Sequence, residues 1–218
     1  MSESSTSCPI RLTAAPLVLE EGGYLTAQDY DYAPLRNIIP RVTALIEICA
    51  QTQIPVIFTR EGHRPDLSTL SSREKARSRV RTGVGIGDKT TSLGRALIRG
   101  EPGHDIIPEL VAWVAPSETN VIDKPGRSAF AHTDLELILR NMGVVNLLIC
   151  GVTTDVCVHS TMREANDRAF DCVLVADACA AGAEELHDWA VDSIQGEGGI
   201  FGSVTDLARV KQALSTKG

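Results

Sequence analysis

The chain has 218 residues, 43% of them hydrophobic and 22% charged, with 21 basic against 28 acidic side chains and a formal charge of −7. That length suits one α/β domain of ordinary size. The acidic balance gives no electrostatic pull toward nucleic acid or an anionic membrane surface.

No apolar run is long enough to span a bilayer, and the polar residues 1–7 are not followed by the apolar core of a secretory signal. The six cysteines have neither zinc spacing nor the density of a small secreted disulfide scaffold. A reduced, cytoplasmic protein without bound metal or cofactor is the expectation.

Residues 10–19 stand where a first strand belongs, but Pro9 opens the segment and Pro16 interrupts it. Proline removes a ladder donor and suits strand ends or edges, so 1–19 reads as an atypical start to one domain covering 1–218. A helical stripe follows over 35–50, carried by Leu35, Ile38, Ile39, Val42, Leu45, Ile46 and Cys49. Residues 54–59 form a short β-rich run, ended by the charged pair Arg60-Glu61. The stretch 61–107 is loop-like, and so long a weakly patterned stretch is usually functional or carries short helices. Its basic run, 73–81, reads as a solvated segment or lid and more weakly as an anion site.

Regular patterning resumes with a strand over 120–123, a helix over 133–141 and a buried strand over 145–150. A helix over 155–168, a strand over 170–176, a helix over 184–194 and a last helix over 205–214 complete the chain. Strand–helix alternation of this kind predicts a parallel sheet with helices on both faces.

The most informative stretch runs from Cys150 to Arg168. A buried strand ends at Gly151, a tight turn follows, and Thr153 or Thr154 can cap the next helix. Cys157 therefore falls in a first helical turn, where free N–H groups and the positive dipole end favour a thiolate and can hold a developing oxyanion. The competing reading is one more buried thiol, as for Cys49, Cys150 and Cys172 in their apolar stretches. Lys124 follows another strand directly, at the same C-terminal edge where open α/β sheets bind ligands. It can depress the thiol pKa or support charge on a substrate; the ordinary alternative is a solvated loop lysine.

Together these segments resemble the isochorismatase-like cysteine hydrolases. Lys124-Pro-Gly-Arg-Ser-Ala-Phe130 matches the family's Lys followed by a Ser-Ala-Phe box, and residues 151–158 match its Gly-Val-Thr-Thr-x-x-Cys-Val signature. The likeness extends over about residues 20–214. Within it, residues 59–67, 100–110 and 198–204 are most similar to the biuret-hydrolase-like amidohydrolases.

The resemblance implies a Rossmann-like three-layer sandwich with a mostly parallel six-stranded sheet, a homo-oligomer (tetramer or dimer) and metal-free hydrolysis of a small ureido or carbamoyl amide. It implies Cys157 as nucleophile with Lys124 beside it, a cis peptide at Val152–Thr153, and an oxyanion hole from the N–H groups of Thr153 and Cys157. An acyl-enzyme forms and water resolves it, which requires a carboxylate within reach of both Cys157 and Lys124.

The family carries that carboxylate as an aspartate on the first strand, and here the position is Thr13, in a segment without any acid. Glu20, Glu21 and Asp29 are the candidate replacements; alternatively Lys124 and the helix dipole alone sustain slower chemistry. A non-catalytic paralogue that keeps ligand binding or oligomerisation is the competing reading, and vinyl-ether cleavage of the isochorismate type is a weaker one. For substrate contacts the expected residues are Arg60, His63, Phe130 and Glu197, the last at a position where the biuret branch has Gln. Three of them have a plainer alternative: ion pairing for Arg60, loop packing for His63, as for His104 in the neighbouring loop, and core for Phe130. His159 stands two residues beyond Cys157 on a helix, a spacing that turns it away from the thiol.

Overall fold

The computed structural model describes residues 10–15, 23–91 and 93–215, with the backbone alone described for 10–15, 90 and 91. The strands are β1 (Ile10–Ala15), β2 (Val56–Glu61), β3 (Lys89–Thr91), β4 (Gly94–Arg95), β5 (Val121–Lys124), β6 (Asn146–Val152), β7 (Asp171–Ala180) and β8 (Ser203–Thr205). The α-helices are α1 (Tyr24–Ala27), α2 (Ala33–Arg36), α3 (Ile39–Gln51), α4 (Ser72–Arg77), α5 (Pro108–Val111), α6 (Leu135–Asn141), α7 (His159–Asp167), α8 (Glu184–Gly199) and α9 (Leu207–Ser215).

Six strands form one sheet in the order β5-β2-β1-β6-β7-β8, and every pairing in it is parallel. The expected six-stranded α/β architecture is therefore present, and β3 and β4 add a small antiparallel pair. Chain progression moves outward from β1 to β2 and β5, then returns past β1 to β6 and moves outward the other way. Right-handed crossovers then put α3 and α5 on one face and α6, α7 and α8 on the other. The order reverses between β1 and β6, and a parallel sheet opens a crevice at that point beyond the strand C-termini.

The helices bury the faces that their periodicity marks. Val42, Leu45, Ile46 and Cys49 of α3 are buried, as are Leu135 and Leu139 of α6. They join the strand residues Ile57, Phe58, Ile122, Leu148, Ile149 and Leu174 in one continuous core. Pro40 stands in the first turn of α3, where its missing N–H would be unbonded anyway, so the single stripe over 35–50 divides into α2 and α3.

β1 is a central strand, paired with β2 on one side and β6 on the other, and Pro9 and Pro16, which flank it in sequence, lie outside the described residues. Glu20, Glu21 and Gly22 lie outside the described residues. The five described cysteines, Cys49, Cys150, Cys157, Cys172 and Cys179, are all free and buried. No helix among the described residues is long and apolar enough to cross a membrane.

Two boundaries differ from the sequence expectation. β8 takes Ser203 to Thr205, delaying the last helix to Leu207. More consequentially, β2 continues through Arg60 and Glu61, the pair read above as its end. Both are buried because each finds an ionic partner on another element. Arg60 Nε donates to Asp123 Oδ1 at 2.6 Å and pairs with Glu118, while Glu61 meets Lys124 and Arg127.

Candidate active site

β6 delivers the chain to the crevice, and a continuous helical segment leaves it. The first turn of that segment, Thr154–Val158, is wide: Val158 N–H donates to Thr153 O at 3.1 Å, five residues back. α7 continues from His159. Thr153 begins the helix without a side-chain cap, and Thr154 instead engages His187 Nδ1 at 2.9 Å through its hydroxyl. The Val152–Thr153 peptide is cis, as the resemblance implies. Cys157 thus sits in the first turn, buried, with its side chain toward the ends of β2 and β5.

Lys124 is the last residue of β5 and is only 1% exposed. Its ammonium donates to Gly126 O at 2.9 Å, to Glu61 Oε2 at 3.3 Å and to Cys157 Sγ at 3.4 Å. So complete a set of partners is what a buried ammonium needs. The two segments joined by the sequence argument therefore meet across 33 positions of chain.

The third member of the cluster is Glu61, the last residue of β2 and the direct neighbour of Lys124 across the β2–β5 ladder. Cys157 Sγ donates toward its Oε2 at 3.6 Å, across 96 positions of chain. The other oxygen, Oε1, accepts from Arg127 Nη1 at 2.9 Å. Arg127 in turn pairs with Glu74 of α4. Burial works against the Arg127 charge, yet Glu61 and Glu74 outweigh it and hold the guanidinium above its ordinary range. For Cys157, burial is the largest influence and raises the thiol pKa. Lys124 opposes that rise and Glu61 reinforces it, so the group stays a thiol at neutral pH.

A cavity of about 370 Å³ opens over the sulfur. Its lining includes Cys157, Glu61, Thr153, Tyr24, Arg127 and Arg81. The basic run 73–81 is thus a wall of this cavity, with Arg77, Ser78 and Arg81 on it. Arg81 lies 4.2 Å from the Tyr30 ring centroid and donates to Asp29 O at 3.2 Å.

The residues expected to contact substrate stand outside this cavity. Arg60 is committed to Asp123 and Glu118. His63 is buried with Nδ1 3.1 Å from Thr69 O. Phe130 belongs to the core, its ring centroid 5.6 Å from that of Phe170. Glu197 is exposed on a non-helical kink near the end of α8, at φ 53°. None of the four lines the cavity. Asp29 is exposed and does not line it either. His159 bonds Arg163 and packs on Trp189, turned from the thiol as its spacing implied. Glu61, Arg127 and Glu74 were not anticipated as site residues; the available signal was an acid at the end of a strand whose neighbour lacks one.

Comparison with known proteins agrees with this geometry. The Isochorismatase domain family matches residues 30–208. Ureidoacrylate amidohydrolase RutB of Methylobacterium radiotolerans is 29% identical over 198 residues, 88% of this chain and 73% of the relative. The protein of that name in Pantoea ananatis is 27% identical over 202 residues, 90% of this chain and 77% of the relative. Among solved structures, a cysteine hydrolase from Pseudomonas syringae pv. phaseolicola superposes with TM-score 0.77 at 23% identity, over 95% of this chain and 93% of the other. Nicotinamidase PncA of Bacillus subtilis superposes with TM-score 0.69 at 24% identity, over 90% and 99% of the two chains. The chain belongs to the isochorismatase family, as an isochorismatase-like cysteine hydrolase.

Proposed function

We propose that the protein hydrolyses a carbon–nitrogen bond of a small ureido or carbamoyl compound through a covalent Cys157 intermediate, with a ureido acid preferred to biuret. The observation that carries this reading is the 3.4 Å contact between Lys124 Nζ and Cys157 Sγ, beneath a cavity at the sheet's switch point. The sulfur attacks the ureido carbon, and the N–H groups of Thr153 and Cys157 receive the negative charge on its oxygen. Lys124 supports charge on the sulfur and on the addition intermediate. The names of the amidohydrolase relatives favour an amide of the ureido type. The Arg81 guanidinium on the cavity wall favours a substrate that also bears a carboxylate.

Ammonia release from biuret, a ureido acid and an unsubstituted primary amide tests this, with Cys157→Ser as control. The expected result is turnover by the wild type, fastest on the ureido acid, and none by the variant. Binding of a ureido acid by both proteins without turnover by either would favour a non-catalytic paralogue, and undiminished activity of Cys157→Ser would exclude the mechanism.

A further inference from the structure

We propose that Glu61 takes the Cys157 proton, a base carried on β2 in place of the aspartate expected on β1. The inference rests on the amide-hydrolysis reading above. β1 runs Ile-Arg-Leu-Thr-Ala-Ala and contains no acid. β2 is its immediate neighbour in the sheet and ends in Glu61 at the same edge. Its carboxylate is nearly buried, with 6% of the side chain exposed.

The two oxygens of Glu61 have different tasks. Oε1 is anchored by Arg127, itself held by Glu74, which makes Arg127 a positioning residue. Oε2 faces the sulfur at 3.6 Å and the ammonium at 3.3 Å. Among the described residues, no other carboxylate hydrogen-bonds Cys157 or Lys124. Asp155 lines the cavity, but its Oδ1 is buried without a partner.

The steps balance around Oε2. As the C–S bond forms, the S–H proton passes to Oε2. When the C–N bond breaks, the same proton passes to the departing nitrogen, releasing an amine or ammonia and leaving a thioester-type acyl-enzyme. Water then gives a proton to Oε2 as its oxygen adds to the acyl carbon. The C–S bond breaks, the proton returns to sulfur, and an acid or carbamate departs. The net reaction is amide plus water, with no other reactant.

The test compares Glu61→Gln and Glu61→Asp with Glu20→Gln and Glu21→Gln on the ureido acid, alongside iodoacetamide alkylation of Cys157 across pH. Glu61→Gln is expected to lower kcat by about two to four orders of magnitude. Its alkylation midpoint is expected to move down in pH, because the anion beside the thiol is gone while Lys124 and Arg127 still face it. A purely structural role would not give a more reactive thiol together with lost turnover. Glu61→Asp is expected to lose kcat to a smaller extent, and the Glu20 and Glu21 variants to stay near wild type.

Near-wild-type kcat in Glu61→Gln, or an equal loss in Glu20→Gln or Glu21→Gln, overturns the proposal. Should Glu61→Gln fail to fold, undiminished kcat in Glu61→Asp overturns it. If the wild type releases no ammonia from any substrate, the amide-hydrolysis reading fails by itself. Glu61 is then judged by alkylation alone, and a Glu61→Gln midpoint unmoved from wild type overturns its coupling to the thiol.

Discussion

Glu61 and Lys124 face each other at the C-terminal ends of β2 and β5, and both reach the Cys157 sulfur. The pairing turns two strand ends into one rigid unit, because register as well as hydrogen bonding fixes both side chains. Burying a lysine costs several kcal/mol unless its charge is matched, so neither residue is free to change alone. The Cys157 helix supplies the third corner from the other side of the switch point.

Replacement of Lys124 by Met keeps the volume and removes the charge. Burial then acts on the thiol with less opposition, and the alkylation midpoint of Cys157 should move to higher pH than in the wild type. Turnover of the ureido acid should fall with it. A midpoint that stays put would mean that Lys124 does not act on the sulfur.

Restoring an acid on β1 should give little. Thr13 stands opposite Ile57 of β2 and Ile149 of β6, on the strand where the family aspartate is expected. With Glu61 already serving the thiol, Thr13→Asp should not raise kcat. In a Glu61→Gln background the same substitution should recover part of the lost rate. Steady-state kinetics on the four proteins decide this.

Most of the fold was legible in the sequence, since β6, β7 and α7 carry unbroken apolar runs or a clear helical stripe. Cys157 and Lys124 were legible for the same reason, each standing just beyond such an element. Glu61 was not. The charged pair Arg60-Glu61 looks locally like the end of a strand, and only partners as remote as Glu118, Asp123, Lys124 and Arg127 keep it buried. Phe130 is the opposite case: beside the lysine segment it could wall a pocket or join the core, and it packs against Phe170 in the core.

Arg81 gives a prediction about specificity. Its guanidinium is on the cavity wall and sits over Tyr30. Arg81→Ala should raise KM for a ureido acid by about tenfold or more, the loss of one charge-assisted hydrogen bond, and leave KM for biuret unchanged. Equal effects on both would place Arg81 in packing and not in recognition.

His104 links stability to pH away from the chemistry. Burial lowers its pKa to about 4 from an ordinary value of 6.5. The unfolded chain therefore takes up a proton first as pH falls, and folding stability declines from about pH 6.5 toward pH 4. The single group accounts for about 3 kcal/mol at most across that window, at about 1.4 kcal/mol for each tenfold change in affinity. Thermal unfolding of His104→Gln should lose less Tm between pH 7 and pH 5 than the wild type does. An identical loss would assign the acid sensitivity to other groups.

The covalent intermediate is the most direct measure of the central claim. Wild-type protein mixed with excess ureido acid and quenched in acid within the first turnover should show, by intact mass and peptide mapping, one acyl group on Cys157. Cys157→Ala should show none. Ammonia release by a wild type that never carries the adduct, or by Cys157→Ala at the wild-type rate, would contradict a cysteine mechanism.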